Sequence, residues 1–390
     1  MGNPIGVLGI VIAAVVVLIV VPILILFIRL LPGEITGWGG YFYKKTIQTE
    51  DPGLSTQKVT VIDEYQQRKT FWDWQQLLIV PIILALAAYG FNYLQNVHSE
   101  QLATDQQQQT TLETYIDRMS DLLLSTTIIS KLHEAKKSDE IRKVAQGRTL
   151  IALERLDGKR KGSIVLFLYH ADLITWHNLT TTPITNSDAF PLVSLATADL
   201  SGAELSGDFL ANIDLHNTVM SNADLSGSIL SYDNLSISDM HSANLSGAFL
   251  HGVDMRGTGL QNANLSGAFL NCNPRGASSE AVDINNLLLC PDLSGTYMNG
   301  ANLSGADLRG VDMSNAHLPN ANLSNAQLNC ISLKGVSHCT NLQGADLSGA
   351  NLQGADLSGA NLKGAIVTCA QIAEAKSFAG ATMPDGSQHC

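Results

Sequence analysis

The chain has 390 residues, of which 45% are apolar, 15% charged and 6% aromatic, with a formal net charge of −12. This length is enough for two or three folded units. The acidity lies in the C-terminal half, since residues 191–370 hold 5 Lys or Arg against 15 Asp or Glu. Direct nucleic-acid binding by that half is not expected, because phosphate neutralisation requires clustered basic side chains.

The first element is a long apolar stretch at the N-terminus. Residues 1–28 carry no charged side chain, and Ile5 to Ile28 is almost wholly apolar. At about 1.5 Å per residue, it can cross a hydrocarbon core of roughly 30 Å. A secretory signal peptide would have a shorter apolar region and a basic start. The sequence therefore favours a retained transmembrane helix that ends near Arg29.

A second apolar stretch covers residues 71–94 and reads FWDWQQLLIVPIILALAAYGFNYL. Aromatic rings at both ends suit the headgroup depth of a bilayer, which favours a membrane span over a buried helix. The orientation stays open. The positive-inside rule, applied strictly, places the segment between the spans in the cytoplasm and the C-terminal part outside. The basic residues of 118–161 favour the cytoplasm for the C-terminal part instead, and we prefer that side.

Residues 99 to about 174 have helical periodicity, with four apolar residues from Leu112 to Leu123 on one face. A second helix is predicted in SDEIRKVAQGRTLIALERL, with Ser138 as its N-cap. The segment DGKRKG (157–162) interrupts the pattern before another short helix. Its basic cluster, 159–161, is interpreted as a solvated turn, with contact to anionic lipid headgroups as the alternative.

A five-residue period dominates the C-terminal half, as in ADLSGANLQGADLSGANLKG at 345–364. Leucine or another large apolar residue recurs every fifth position in three runs, Leu195–Leu270, Leu293–Leu333 and Leu342–Val367. These runs hold 16, 9 and 6 units. Five matches neither the helical nor the strand period.

Each place in the unit has a physical role. A small residue precedes each large one by two places, so both point to the same side of an extended segment. The residue between them points outward, and Gly or Asn at the corner tolerates positive φ. Four corners close a coil of 20 residues. The spacing therefore predicts a mainly β protein, a quadrilateral β-helix of about eight coils and on the order of 40 Å long.

Leucines at the central place are expected to fill the interior. The interior set is Leu200, Leu225, Leu245, Leu265, Leu303, Leu323, Leu347 and Leu357. Acids at the outward place form the candidate contact surface. The candidate acids are Asp199, Glu204, Asp214, Asp224, Asp254, Asp292, Asp307, Asp312, Asp346 and Asp356.

Outward positions one coil apart should stack as ladders on each face. On one face they read Glu204, Asp224, Asn244 and Asn264, followed by further asparagines in the second run. Acids therefore give way to asparagines, and no long acidic stripe is expected there.

Both ends of a β-helix need covering, because their open edges are templates for aggregation. Thr368 and Gln371 form a predicted capping box that opens a helix to about Phe378. The helical region is expected to cover the N-terminal end. In the interior, Asp208 and Asp233 occupy small inward places and are expected to accept backbone hydrogen bonds or to distort the coil locally.

Two interruptions break the phase of the repeat. Between Leu270 and Leu293, the segment NPRGASSE (273–280) is expected to protrude. Between Leu333 and Leu342, we interpret the nine-residue spacing as the loss of one residue near His338.

Five of the six cysteines fall at the corner place of the unit. Among them, Cys290, Cys330 and Cys369 are spaced two coils apart on one face, which separates them by roughly 10 Å. Cα atoms joined by a disulfide lie within about 7 Å of each other. We therefore expect free thiols.

The unit A(D/N)LxG, present as ADLSG, ANLSG and ANLQG, resembles the repeat of the pentapeptide-repeat family over about Val193 to Val367. The resemblance implies a right-handed quadrilateral β-helix. The preceding part, from residue 71, is similar to membrane-anchored pentapeptide-repeat proteins of cyanobacteria and related bacteria, some of which are linked to transport or envelope glycolipid assembly. Residues 1–70 lie outside the resemblance.

The expected organisation combines these elements. The parts are a transmembrane helix (1–31), an inter-span segment (32–70), a transmembrane helix (71–98), a helical region and linker (99–190), the β-helix (191–369) and a capping helix with tail (370–390).

The expected function is a membrane-tethered, non-enzymatic scaffold that contacts the lipid bilayer and unidentified protein partners. The chain lacks HExxH, GxSxG and P-loop motifs, so no catalytic, cofactor, metal or small-molecule site is expected. One alternative, implied by soluble family members that confer quinolone resistance, is a DNA-mimic topoisomerase inhibitor. Another is an accessory regulator of membrane transport or envelope assembly.

Overall fold

The computed structural model describes residues 41–47, 61–67, 71–124, 140–175, 191–272, 290–333 and 335–386. The predicted first span therefore lies outside the described residues. The chain divides into two compact units, Met1–Thr104 and Asp105–Cys390.

The first unit contains a hairpin that the sequence analysis did not predict. Strand β1 (Tyr41–Ile47) pairs antiparallel with β2 (Val61–Gln67), with Tyr41 opposite Gln67. Helix α1 (Phe71–Leu124) then begins in the second apolar stretch and continues into the second unit. Among the described residues, no helix is long and apolar enough to cross a membrane.

The helices of the second unit follow the predicted periodicity. The C-terminal part of α1 buries Leu112 and Met119, while Ile116 and Leu123 pack partly buried against the same core. Helix α2 (Glu140–Arg155) and helix α3 (Gly158–His170) follow. The proposed N-cap Ser138 lies outside the described residues.

Helix α3 covers the first coil of the β-helix through a close backbone contact. Its N-cap is Asp157, and the carbonyl of Gly158 accepts a hydrogen bond from Glu204 N at 3.0 Å. A Cβ at Gly158 would collide with the carbonyl oxygen of Gly202, and one at Gly162 with that of Glu204. Two glycines one turn apart therefore let the helix lie directly on the coil, which confirms the expected N-terminal cover.

The basic cluster 159–161 is part of this cover, so the interpretation as a solvated turn was wrong for two of its three residues. Arg160 is buried between the carboxylates of Asp105 and Asp157, at 2.6 and 2.5 Å. Lys161 is buried and pairs with Asp199 at 3.0 Å. The sequence segment starts a helix, and its first turn places both cations against acids of neighbouring elements.

The repeats form a right-handed β-helix in which outward residues pair parallel with outward residues one coil further along. Glu204 bridges Asp224 and Phe209 bridges Ile229, each 20 residues apart. Backbone bonds such as Leu200 N to Val219 O, at 2.7 Å, join adjacent levels. The eight leucines assigned to the interior are all at most 1% exposed: Leu200, Leu225, Leu245, Leu265, Leu303, Leu323, Leu347 and Leu357.

The corners adopt the left-handed backbone conformation that the repeat predicts. Gly202 has φ +65°, and Asn222, one coil later at the same corner, has φ +59°. Gly and Asn tolerate this region best, which explains their recurrence at the fifth place of the unit.

Both interruptions are insertions into an otherwise continuous coil. Asn264 pairs with Asn302 across 38 residues, and Asp312 with Asn341 across 29, instead of the usual 20. The interpretation of a lost residue near His338 was therefore wrong. The second insertion forms a hairpin of β3 (Ile331–Leu333) and β4 (Val336–His338), so Leu333 belongs to a strand and not to a repeat unit. The first, including 273–280, lies largely outside the described residues.

The expectation of free thiols was wrong. Cys272 is bonded to Cys290 and Cys330 to Cys339, and Cys369 is also in a disulfide. The sequence argument compared cysteines two coils apart, and those do not pair with each other. It did not consider that each insertion returns the chain to the corner from which it left.

The predicted capping helix forms but is shorter, and the coil continues beyond it, with Thr382 paired to Asn361. Helix α4 (Cys369–Ala373) has the expected capping box between Thr368 and Gln371. It ends well before Phe378, because Ser377 pairs with Asp356 and the chain thereby returns to the coil.

We predict that Gly162→Ala destabilises the second unit by about 2 kcal/mol or more, because its methyl group has no room beside Glu204 O. Gly147→Ala is the matched control. It also lies in a helix but has open space around it, so it should stabilise by roughly 0.5–1 kcal/mol. Urea unfolding measures both, and equal effects would contradict the backbone contact.

We predict that Leu347→Asp destabilises the β-helix by more than about 3 kcal/mol, because it buries an unpaired carboxylate in a fully enclosed site. Ser348→Asp, at the exposed neighbouring position, should cost less than about 1 kcal/mol. Circular dichroism during denaturant titration compares the two. The interior assignment fails if both variants unfold at the same midpoint.

Candidate interaction surface

The outward places of the repeat form four ladders of side chains along the β-helix. The asparagine ladder is Glu204, Asp224, Asn244, Asn264, Asn302, Asn322 and Asn351. The apolar ladder is Phe209, Ile229, Phe249 and Phe269, and its face continues through Asp307, Gln327, Asp356 and Ser377. The acidic ladder is Asp214, Asn234, Asp254, Asp292, Asp312, Asn341, Asn361 and Thr382. The mixed ladder is Asp199, Val219, Asp239, Gly259, Tyr297, His317, Asp346 and Ile366.

The ten candidate acids are divided among all four faces. The acidic ladder holds Asp214, Asp254, Asp292 and Asp312, and the other three faces hold two each. The structure thus does not gather the predicted acids into one surface. The largest group is the run of three consecutive aspartates, Asp254, Asp292 and Asp312, on the acidic ladder.

The asparagine ladder satisfies its own hydrogen bonds. Asn244 Nδ2 donates to Asp224 Oδ1 at 3.0 Å, and Asn264 Nδ2 donates to Asn244 Oδ1 at 3.1 Å. The same bond repeats from Asn302 to Asn264 and from Asn322 to Asn302. These side chains stabilise the stack and have fewer donors and acceptors left for a partner.

One basic residue, Arg256, neutralises part of the acidic ladder. Arg256 binds both carboxylate oxygens of Asp254, at 2.8 and 2.6 Å, and lies 3.7 Å from Asp292. Burial alone would raise the pKa of Asp254, but the hydrogen bonds and charge of Arg256 outweigh it and hold that pKa below its usual value. This face is therefore a mixed-charge surface and not a bare acidic one.

Two further candidate acids are held by contacts within the chain. Asp199 pairs with the buried Lys161 of the N-terminal cover. Asp307 is only 7% exposed, and both of its carboxylate oxygens accept from Arg309. For both acids, burial would raise the pKa, yet the hydrogen bonds and charges lower it overall. We assign these two acids a role in stability.

The apolar ladder is the feature that the sequence analysis missed. Phe249 and Phe269 stack with ring centroids 4.9 Å apart and an interplanar angle of 10°. Phe209 is 56% exposed and Phe269 40%. Tyr169 of α3 lies 6.1 Å from the Phe209 ring and extends the apolar surface by one side chain. The sequence signal is a large apolar residue at the outward place in every fourth unit.

Acids border the apolar ladder on both neighbouring faces. Glu204 and Asp224 lie at the same levels on the asparagine ladder, and Asp214 and Asp254 on the acidic ladder. The acids therefore lie mainly beside Phe209 and Ile229 in the first two coils, whereas the asparagine ladder beside Phe249 and Phe269 is neutral.

Of the two inward acids that the sequence analysis expected, Asp208 and Asp233, only Asp233 is fully buried. Asp233 is 1% exposed, and its Oδ1 accepts from Ile213 N at 2.8 Å, whereas its Oδ2 has no hydrogen-bond partner. Burial raises the pKa of Asp233 well above its usual value. The other inward acid, Asp208, is half-buried, and its pKa is also raised by burial. In the part of the chain that the structure describes, no cluster of His, Cys, Asp or Glu could hold a metal ion.

Comparison with known proteins assigns the repeat. A family model of pentapeptide repeats matches eight copies, in residues 194–231, 234–271, 292–336 and 340–376. The comparison with curated proteins found no match.

Three solved structures illustrate the range of similar proteins. HetL of the cyanobacterium Nostoc sp. strain PCC 7120, a pentapeptide repeat protein involved in heterocyst differentiation regulation, is 33% identical, with 58% of this chain and 98% of HetL covered and a TM-score of 0.27. Full-length QnrB1, a plasmid-mediated fluoroquinolone resistance protein, is 20% identical, with 49% and 92% covered and a TM-score of 0.21. A pentapeptide repeat protein of the Arabidopsis thaliana thylakoid lumen is 24% identical, with 47% and 85% covered and a TM-score of 0.17.

The coil geometry and the burial of every fifth leucine define a β-helical repeat protein. With a matching family model and a 33% identical relative covered over 98% of its length, the chain belongs to the pentapeptide-repeat family.

We predict that Asp233→Asn increases stability relative to the native chain as the pH rises. The folded state keeps the proton of Asp233 above pH 4, where the unfolded chain has lost it, because the folded-state pKa is raised. The unfolding free energy of the native chain therefore falls by up to about 1.4 kcal/mol per pH unit between the unfolded-state and the folded-state pKa of Asp233. The unfolding free energy of the Asn variant does not fall for this reason.

Unfolding free energies at pH 4.5 and 7.5 measure this difference. Ser348→Asn, at an exposed place without a titratable group, is the control and should show no such growth with pH. A stability difference for Asp233→Asn that is the same at both pH values would contradict the buried, protonated carboxyl.

Proposed function

We propose that this protein is a membrane-tethered, non-enzymatic scaffold that binds a protein partner through the apolar ladder. The observation that carries the proposal is the row of exposed apolar side chains on a rigid coil, with Phe209 56% and Phe269 40% exposed. Contiguous apolar patches rimmed by polar residues mark interaction sites more often than isolated apolar residues do. The ladder spans four levels, or roughly 15 Å.

The partner's chemistry follows from what surrounds the ladder. Glu204 and Asp224 on one side and Asp214 on the other favour a partner with basic side chains at the edges of its contact. The stacked rings of Phe249 and Phe269 favour an apolar centre. The surface therefore suits an amphipathic protein segment with an apolar face and Lys or Arg on both flanks.

The proposed membrane tether rests on the apolar N-terminal sequence, and α1, which is not apolar enough to cross a membrane, adds exposed apolar side chains that could contact lipid. The sequence from Ile5 to Ile28 is almost wholly apolar. On α1, Ile82, Leu84 and Phe91 are 55%, 63% and 67% exposed. Burying these large apolar side chains in lipid would stabilise the membrane-bound state by about 25 cal/mol for each Å² of apolar surface removed from water.

The alternatives have less support. A DNA mimic requires regularly spaced phosphate-like charges, whereas the acids here are divided among four faces and several pair with Arg or Lys. A regulator of transport or envelope assembly would use the same apolar ladder and differs only in the identity of its partner.

We predict that a photo-crosslinking amino acid at Phe249 captures a protein partner in native membranes. A large aromatic replacement suits this partly exposed site. The matched control is Tyr297 on the mixed ladder, which is 47% exposed and also aromatic, and which should give no product. Crosslinked peptides identified by mass spectrometry should come from a basic, amphipathic segment.

The purified partner then tests the ladder itself. Phe269→Ser should weaken binding at least about tenfold, as expected for an apolar anchor, and Tyr297→Ser should change it less than about twofold. Both variants should keep the unfolding midpoint of the native chain, because both side chains are partly exposed. Equal affinities of the two variants for the partner would refute the assignment of the ladder.

A further inference from the structure

Each disulfide closes one of the two insertions in the β-helix. Cys272 and Cys290 are 18 residues apart, and the first insertion lengthens the coil from 20 to 38 residues. Cys330 and Cys339 are 9 residues apart, and the second insertion lengthens the coil from 20 to 29. The separation of each pair equals the length of its insertion, so each bridge joins the two points at which the chain leaves and rejoins the coil.

Both bridges lie at one corner of the β-helix, and each has a close contact with the backbone of the next level. Cys272 Sγ lies 3.3 Å from the carbonyl oxygen of Gly310 on the next level. A Cβ at Gly310 would collide with Cys272 Sγ, and one at Gly359 with Cys330 Sγ. A glycine, which the positive φ of the corner also favours, thus lies beside one sulfur of each bridge.

All of the cysteines in the described residues are oxidised. Two pairs are bridged at the insertions, Cys369 of the C-terminal cover is also in a disulfide, and none is free. Disulfides form and persist in oxidising compartments and are rare in the cytoplasm, where thiol-reducing systems keep cysteines reduced.

We propose that the β-helix resides in an oxidising compartment outside the cytoplasm, where a protein disulfide of an oxidoreductase forms these bridges. The proposal replaces our preference for the cytoplasmic side and agrees with the strict form of the positive-inside rule. It does not depend on the proposed scaffold function or on the apolar ladder.

The oxidation step is a pair of thiol–disulfide exchanges. The thiolate of one cysteine, for example Cys290, attacks the disulfide of the oxidoreductase and forms a mixed disulfide, which releases one thiolate of that enzyme. The thiolate of Cys272 then attacks the sulfur of Cys290 and displaces the second thiolate. Two protons and two electrons leave the cysteine pair, and the oxidoreductase is left as a dithiol.

The bridges also have a structural consequence. An insertion separates two parts of one coil, and its ends must be held together against the entropy of the connecting segment. A disulfide lowers the conformational entropy of the unfolded chain, so less entropy is lost when the chain folds and the two ends come together. The phase of the repeat, kept by pairs such as Asp254 with Asp292, can therefore continue across the insertion.

The test measures the thiol state of the full-length protein in the cells that make it. Acid quenching stops exchange, and a maleimide attached to a polymer then adds one chain to each free thiol. We expect no polymer on Cys272, Cys290, Cys330 or Cys339 before reduction, and one on each of them after it. Cys290→Ser is the control, because it leaves Cys272 unpaired and should add one polymer chain without reduction. Free thiols at these four cysteines in the native protein would overturn the proposal.

A second measurement separates an oxidising location from a structural role. The unfolding temperature of the purified native chain should fall by roughly 5–15 °C on reduction. A variant in which these four cysteines are serine keeps the disulfide of Cys369 and should therefore respond to the reductant by a much smaller shift than the native chain. Bridges that are present in cells, with no change in unfolding temperature on reduction, would support the compartment and refute the role in closing the insertions.

Discussion

The narrow interior of the coil is the constraint on which the rest of this protein depends. Every level admits one large and one small side chain from each edge, and residues such as Leu245 and Ala263 are at most 1% exposed. Backbone hydrogen bonds to the next level fix the number of residues in each coil, because every edge must align with the edge above it. Only the outward place and the corner can vary, so the residues at those two places determine almost the whole surface.

As a consequence of this constraint, the chemical character of the surface is set ladder by ladder along the β-helix. A residue type that recurs every fourth unit becomes a continuous ladder on one face, because positions 20 residues apart are stacked. Ladders of asparagine bond to themselves, as between Asn264 and Asn244, and gain stability from the stack. A ladder of phenylalanine also stacks, but it leaves apolar area in water, and that area is available to a partner.

The sequence predicts the regular part of the structure well and the irregular part poorly, for a physical reason. The period of five specifies which side of the coil each residue faces, so the buried leucines and the capping box at Thr368 are read directly from it. Contacts between distant segments are not periodic. The ion pair of Lys161 with Asp199 and the pairing of Cys272 with Cys290 depend on where a helix or an insertion returns, and no local pattern encodes that return.

The candidate site shows the same division. The positions of the outward acids follow from the period, but their availability does not, since Asp307 is held by Arg309 and Asp254 by Arg256. The apolar ladder was readable in principle, because Phe209, Ile229, Phe249 and Phe269 are one coil apart in the sequence. The sequence analysis considered only the charged residues at the outward place and therefore missed this ladder.

The corner that carries both disulfides also explains how a rigid coil accepts insertions at all. An inserted segment leaves the interior leucines in phase only if it departs from and returns to the same place in the unit. The corner satisfies this, because its residues point away from the interior and contribute no layer of the core. Gly310 and Gly359, which have the positive φ of the corner, also leave room for the sulfur of a bridged cysteine on the neighbouring level. The repeat can therefore be interrupted at this corner while the ladders on either side of it, and the surface that they form, remain continuous.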